Sequence, residues 1–322
     1  MIKIIDFDNG CGGLTSGMEA FGEFEVIYNG DLNKKNELCY NNTHINDFWT
    51  GFSFDYSFMD ELDVRLATFA LNFNGLLSRR GGQNFDLHYL DDKMEWIQQY
   101  TPEVLILQTP INALHLLNDA KINKTTDGWP IADYIVNFLT SEDCGYKNVC
   151  QFALEYPNFS IPQNKVVNFY VAWRNNKEFL VPISDGRKRA SDIMSVLNNV
   201  QNTTWHKKDF SKENICSQIK QDSNASKTTS VKQTYGYVRF SSKKIASALS
   251  SEFYRVTSRA PSIHPIENRP LTLREGALLH GLDDRFDWDK KMSKKDVARM
   301  IHNSISPNIG YHIAKSIFLL MG

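Results

Sequence analysis

The chain has 322 residues, 42% hydrophobic and 23% charged, and a formal net charge of −1. These values fit a globular protein of one large domain with a smaller one attached, and no apolar run approaches a membrane span. The first residues read as a strand rather than a signal peptide, and five cysteines without paired zinc-type spacing read as free thiols. The expectation is a cytoplasmic protein with no membrane partner and no metal.

"MIKIIDFDNGCGGLTSGMEAFG" predicts a strand over Ile2–Phe7, a glycine-rich turn and a helix from near Leu14. "FEVIYNGDLNKKNELCYNNTH" repeats the plan, with a strand over Glu25–Tyr28 and Asp31 at its end. "LDVRLATFALNF" reads as a third strand, which runs into a turn at Asn74-Gly75. "LDDKMEWIQQYTPEVLILQTP" is a helix, a Thr-Pro break and a continuous apolar strand over Val104–Leu107. "GWPIADYIVNFLTSEDCGYKNVCQFALEY" is again helix, Gly-Tyr stop and strand, followed by "VVNFYVAWR" at 166–174. Strands that alternate with helices and are apolar throughout predict an α/β fold, with a mostly parallel sheet covered on both faces.

Beyond residue 174 the alternation weakens. Residues 175–260 carry 15 Lys and Arg against 7 Asp and Glu, a net of +8, which leaves 21 against 30 elsewhere. Such a basic stretch reads as a module facing a polyanion, or as a solvated insertion. "PLTLREGALLHGL" and "DVARMIHNSISPNIGYHIAKSIFLLMG" are the closing helical stretches.

In "DFDNGCGG", Gly10, Gly12 and Gly13 allow a sharp turn after a strand, and the helix that follows offers free N–H groups. An acidic residue ending the next strand, Asp31, is where nucleotide-binding α/β folds bind a ribose. The same residues fit a bare structural turn. The order of motifs goes further. "DFDNGCGGLTSGMEAFG" resembles the first motif of the DNA cytosine-5 methyltransferases, and "VIYNGDLNKKNELCYNN" the second. "FSIPQNKVVNFYVAWR" is similar to their eighth, "IHPIENRPLTLREGALLHGLDDRF" to their ninth and "RMIHNSISPNIGYHIAKSI" to their tenth. The likeness runs the length of the chain in the family's order. It implies a Rossmann-like S-adenosylmethionine-dependent methyltransferase fold, doubly wound, over residues 1–174 plus 261–322. Residues 175–260 would form a smaller lobe where the family keeps its target recognition domain.

The resemblance also places the catalytic positions, and the chemistry there has changed. Phe73 stands where the family's cysteine attacks C6 of a flipped cytosine, between Asn72 and Asn74. Gln108 replaces the glutamate that protonates the ring; an amide can hydrogen-bond to a base but not act as its acid. Lys165 and Val167 replace two arginines, while Gln163 and Asn164 remain. No catalytic residue is therefore expected.

For S-adenosylmethionine the resemblance implies Asp6, Gly10, Gly12, Gly13, Leu14, Asp31, Asp55 and Asn303 as binding residues. Against it, Asp8 replaces the phenylalanine that packs on the adenine, and His302 replaces a tenth-motif glycine. For DNA, the expected cations are Lys165, Arg187, Lys188, Arg189, Lys207, Lys208, Arg239, Lys243 and Lys244. Trp205, Tyr235, Tyr237, Phe240 and Tyr254 lie among them, to stack on bases or to fill a small core. Arg269, Arg274 and Glu275 match the ninth motif, and Arg274 and Glu275 carry its structural role. Two functions follow: a catalytically inactive homologue that binds DNA, an active methyltransferase or another DNA-processing protein; or an enzyme with altered chemistry on a flipped or modified base.

Overall fold

The computed structural model describes residues 1–7, 10–31, 48–50, 63–71, 87–110, 131–184, 197, 238–239, 245–255, 262–266, 269–283, 285–286, 288 and 292–322. At 29–31, 48–50, 87–93, 110, 131 and 238–239 the description is of the backbone.

The first half of the chain contributes β1 (Ile2–Phe7), α1 (Gly13–Ala20), β2 (Phe24–Asp31), β3 (Phe48–Thr50), β4 (Leu66–Ala70), α2 (Leu87–Tyr100) and β5 (Val104–Pro110). Then come α3 (Ile131–Leu139), β6 (Asn148–Glu155), a 3-10 turn (Tyr156–Phe159), β7 (Gln163–Asn164) and β8 (Val166–Trp173). Short strands β9 (Val238–Arg239), β10 (Ala246–Ser247) and β11 (Ser262–Ile263) precede α4 (Leu273–Leu279), α5 (Lys294–Asn303) and α6 (Pro307–Met321).

Seven strands form one sheet in the order β3-β2-β1-β4-β5-β8-β6. The first five are mutually parallel, and β8 runs antiparallel to both β5 and β6. The mostly parallel α/β sheet matches the sequence expectation; the reversal of β8 is new. Only residues 156–165 join β6 to β8, too few for a crossover, so β8 must return beside β6 as a hairpin.

Alternate residues of each strand go to opposite faces, and both faces are buried. Ile4, Val104, Ile106, Phe169 and Val171 join Leu14, Met18, Ile309, Ile313 and Ile317 of α1 and α6. Their neighbours Ile5, Phe7, Phe69, Leu105, Leu107 and Tyr170 join Trp96 and Ile97 of α2, with Ile135 and Leu139 of α3. This two-faced burial explains the continuous apolar runs.

A third apolar cluster joins α4 and α5 to Ala246, Leu249 and Phe253, and includes Cys11 of the glycine-rich turn. There β10 pairs with β7, and the Phe253 ring lies where a side chain on Gly276 would be, 2.3 Å from its ideal Cβ. Residues 246–255 thus share a core with the closing helices, although the charge count groups them with the basic stretch.

Candidate functional site

Parallel strands bring the ends of β1, β2, β4 and β5 to one edge of the sheet, the usual place for ligands in such folds. Immediately after β1, Gly10 and Gly12 have φ of +66° and +76°, backbone that favours glycine. Among the described residues, a Cβ on Gly10 would meet nothing within 4 Å. Gly12 is the N-cap of α1 and, having no side chain, supplies no side-chain cap hydrogen bond.

Other residues of this motif turn inward. Asp6 is 1% exposed, and its carboxylate accepts from the Thr15 hydroxyl at 3.0 Å and from the Thr68 hydroxyl. It thereby ties β1, α1 and β4 together beneath the turn. A Cβ on Gly13 would fall 2.0 Å from the Ile305 carbonyl oxygen, so this glycine permits a backbone contact with the α5–α6 link. Leu14 is buried in the sheet core. Asp31 ends β2, with its Cα paired to that of Thr50, and Asn303 ends α5. Asp8 and Asp55 lie outside the described residues.

Beyond β4, the Leu71 amide donates to the Gln108 carbonyl at 2.8 Å, which brings the chain leading to Phe73 alongside the end of β5. Phe73 itself, with Asn72 and Asn74, lies outside the described residues. Gln108 is half-buried, whereas Thr109 is 1% exposed. The Thr109 hydroxyl accepts from Asn168 Nδ2 at 2.9 Å, and Asn168 Oδ1 accepts from Gln151 at 3.4 Å. Sequence reasoning missed this polar string, buried at Thr109 and Asn168; its signal was Asn168, a polar residue inside "VVNFYVAW". Val167 faces Pro110 and Leu154 across the sheet, is 2% exposed and belongs to the apolar core. Nothing polar at that position replaces a guanidinium.

Lys165 does not point outward as a phosphate-binding side chain would. Part of the residue is exposed, but its amine is enclosed, and it donates to the carbonyls of His302 at 2.8 Å and Ser304 at 3.1 Å. It also lies 3.3 Å from His280 Nε2 and over the Tyr156 ring. Burial pushes its pKa down to about 7, with a smaller opposing effect from Cys11. His280 is held well below the usual imidazole range by burial and then by Lys165. Burial, followed by the same charge, takes His302 to about 4. His302 Nδ1 lies 2.7 Å from the Leu249 carbonyl, tying α5 to residues 246–255. Gln163, on β7, is 1% exposed, and its Nε2 has no partner among the described residues.

The ninth-motif residues form two separate devices. Arg269 makes a bidentate pair with Glu275, at 2.8 and 2.7 Å. Glu275 also accepts from the Thr272 amide at 2.7 Å and completes a capping box at the start of α4. Arg274, the immediate neighbour of Glu275, turns away and donates to the carbonyls of Asp283 and Phe286 at 3.0 and 3.2 Å. The ion pair is therefore Arg269–Glu275, and Arg274 closes the loop after α4.

Of the expected DNA-facing cations, Arg187, Lys188, Arg189, Lys207, Lys208, Lys243 and Lys244 lie outside the described residues, as do Trp205, Tyr235, Tyr237 and Phe240. Arg239 has a described backbone, which pairs with Ile263. Tyr254 packs against the third cluster, which favours a core role over stacking on a base. Among the described residues no cluster of three His, Cys, Asp or Glu side chains is suited to a metal, and no helix is long and apolar enough to cross a membrane.

Residues 122–319 match the sequence profile of the C-5 cytosine-specific DNA methylase family. No curated protein sequence matches the chain. Among solved structures, the Dnmt2 methyltransferase of S. pombe superposes with a TM-score of 0.71 at 15% identity, covering 100% of both chains. A putative DNA modification methyltransferase encoded within an E. coli prophage gives 0.70 at 14% identity, covering 100% of this chain and 99% of that one. The Entamoeba histolytica methyltransferase EhMeth gives 0.67 at 13% identity, with the same coverage. At these identities the superpositions speak for the fold.

Proposed function

Because the chain belongs to the C-5 cytosine-specific DNA methylase family, whose members depend on S-adenosylmethionine, we propose that it is a member without the family's cytosine-methylating chemistry, acting by binding DNA alone or beside a partner protein. The observation that carries this reading is Val167, sealed in the apolar core at a position where the family presents a guanidinium. Lys165, at the companion position, spends its amine on interior carbonyls. With Phe73 for the thiol and Gln108 for the acid, no nucleophile or proton donor of the family's kind remains.

The residues at the end of β1 fit S-adenosylmethionine. The glycine turn and the start of α1 would take its polar groups, and Asp31, which ends β2, would hold the ribose. Bound there, it would supply an activated methyl group; here it would serve as a ligand that orders the turn. The net of +8 over residues 175–260 supports a phosphate-facing lobe.

Incubation of the pure protein with methyl-labelled S-adenosylmethionine and DNA is expected to leave the DNA unlabelled; labelled 5-methylcytosine would overturn the reading. In gel shifts, neutralising about four phosphates would weaken DNA binding roughly a hundredfold between about 50 and 200 mM salt. No complex at low salt would remove DNA and leave the partner protein as the role. A second reading, altered chemistry on another base, draws on Gln108, whose half-buried amide stands at the end of β5. It requires a fifth nucleoside in digests of treated DNA.

A further inference from the structure

The buried amine of Lys165 bridges parts of the fold distant in sequence, and its hydrogen-bond arithmetic favours one protonation state. His280 Nε2 lies 2.6 Å from the Ser304 carbonyl oxygen, a contact that needs a proton on Nε2. That N–H cannot also accept a hydrogen from Lys165, 3.3 Å away. A neutral amine fits without waste: two hydrogens serve the His302 and Ser304 carbonyls, and the lone pair faces the imidazole N–H. Among the described residues, an ammonium would aim its third hydrogen at another donor or at the ring of Tyr156, a weak acceptor 5.4 Å from Nζ to centroid.

Of the other described titratable groups around it, Cys11 favours a positive charge, and its effect is smaller than that of burial. Tyr156, from the 3-10 turn, is kept neutral by burial and receives the Ser306 amide at 3.2 Å. Cys11, from the glycine turn, is a buried thiol outside any disulfide. His280, from the end of α4, and His302, from α5, both sit below their ordinary range. Among the described residues, no carboxylate is recorded against this amine.

The bridge matters because of what the α5–α6 link touches. The carbonyls held by Lys165 flank Ile305, whose own carbonyl oxygen lies against Gly13 at the start of α1. We propose that Lys165 is a proton-operated clamp: as a neutral amine it holds residues 302–306 against the glycine turn, and on taking up a proton it releases them. The inference rests on the fold and holds whether or not the turn binds S-adenosylmethionine.

The test is amide hydrogen exchange of peptides spanning residues 300–310, corrected for intrinsic rates, between pH 7 and 9. Opening the link frees a lysine of ordinary affinity for protons, whereas the closed amine holds one only below about pH 7. The opening constant should therefore fall about tenfold per pH unit, the signature of one proton taken up on opening. Lys165→Met, which keeps the stem without the amine, should show no such slope. A flat wild-type profile, or the same slope in Lys165→Met, would overturn the clamp. Should Lys165→Met fail to fold, a carbon-13 titration of the wild-type lysines decides: one titrating near pH 7 supports the clamp, and none below pH 9 refutes it.

Discussion

Replacing Glu275 by alanine is expected to cost about 3–5 kcal/mol of stability, the range for breaking a buried ion pair from one side. The carboxylate is 3% exposed and serves three donors: both ends of the Arg269 guanidinium and the Thr272 amide. His264 stands 3.8 Å from it. The substitution removes the bidentate partner of a side chain only 14% exposed and breaks the reciprocal cap of α4. Urea unfolding measures the loss; a change under about 1 kcal/mol would show that the network contributes little. Glu275→Gln keeps an acceptor for the Thr272 amide and should fall between wild type and alanine.

The pH dependence of the same pair has a definite sign. Burial works against the charged carboxylate, but the Arg269 hydrogen bonds and charge outweigh it and hold the pKa below the ordinary value. The unfolded chain therefore binds its proton at higher pH than the folded one. Stability from this group is complete above the unfolded pKa and is lost as pH falls through the folded one. The gap between wild type and Glu275→Gln should close in strong acid.

These residues also show which features a sequence exposes. The glycine turn, the strand–helix alternation and Asp31 at the end of β2 were legible because each is local: a φ requirement, a period, a strand end. The pairing of Glu275 was not. Adjacent residues on a helix do not face each other, so Arg274 could not be its partner; the guanidinium comes from six residues back, across the cap. Lys165 was misplaced for a similar reason. A lysine after "IPQN" looks exposed, and only the return of the α5–α6 link supplies the carbonyls that turn it inward. The direction of β8 was available in principle from the length of its connector to β6. The expectation that Phe73 holds the family's nucleophile position came only from the motif order, because Phe73 has no polarity or spacing that would single it out.

The contact between α1 and α6 leads to the second large effect. Alanine normally stabilises a helix over glycine by about 1 kcal/mol, yet Gly310→Ala and Gly17→Ala are each expected to cost about 3 kcal/mol. A Cβ on Gly310 would lie 2.0 Å from the Leu14 carbonyl oxygen, and one on Gly17 2.0 Å from that of Pro307. Both obstacles are backbone, which cannot move aside as a side chain tip does, so the helices must separate. Separation loosens Leu14 and Met18 from Ile309 and Ile313, all at most 4% exposed. It also draws the start of α6 away from α1, and with it Ile305 from Gly13. The double variant should cost less than the sum, because one displacement relieves both clashes. Gly22→Ala is the control: its φ of +94° strains alanine by about 1–2 kcal/mol, but among the described residues its Cβ would meet nothing within 4 Å. Thermal unfolding of the four variants should rank Gly22→Ala nearest wild type, the single α1–α6 variants lower and the double lowest. A Gly310→Ala protein as stable as wild type would mean that the two helices do not meet backbone to backbone.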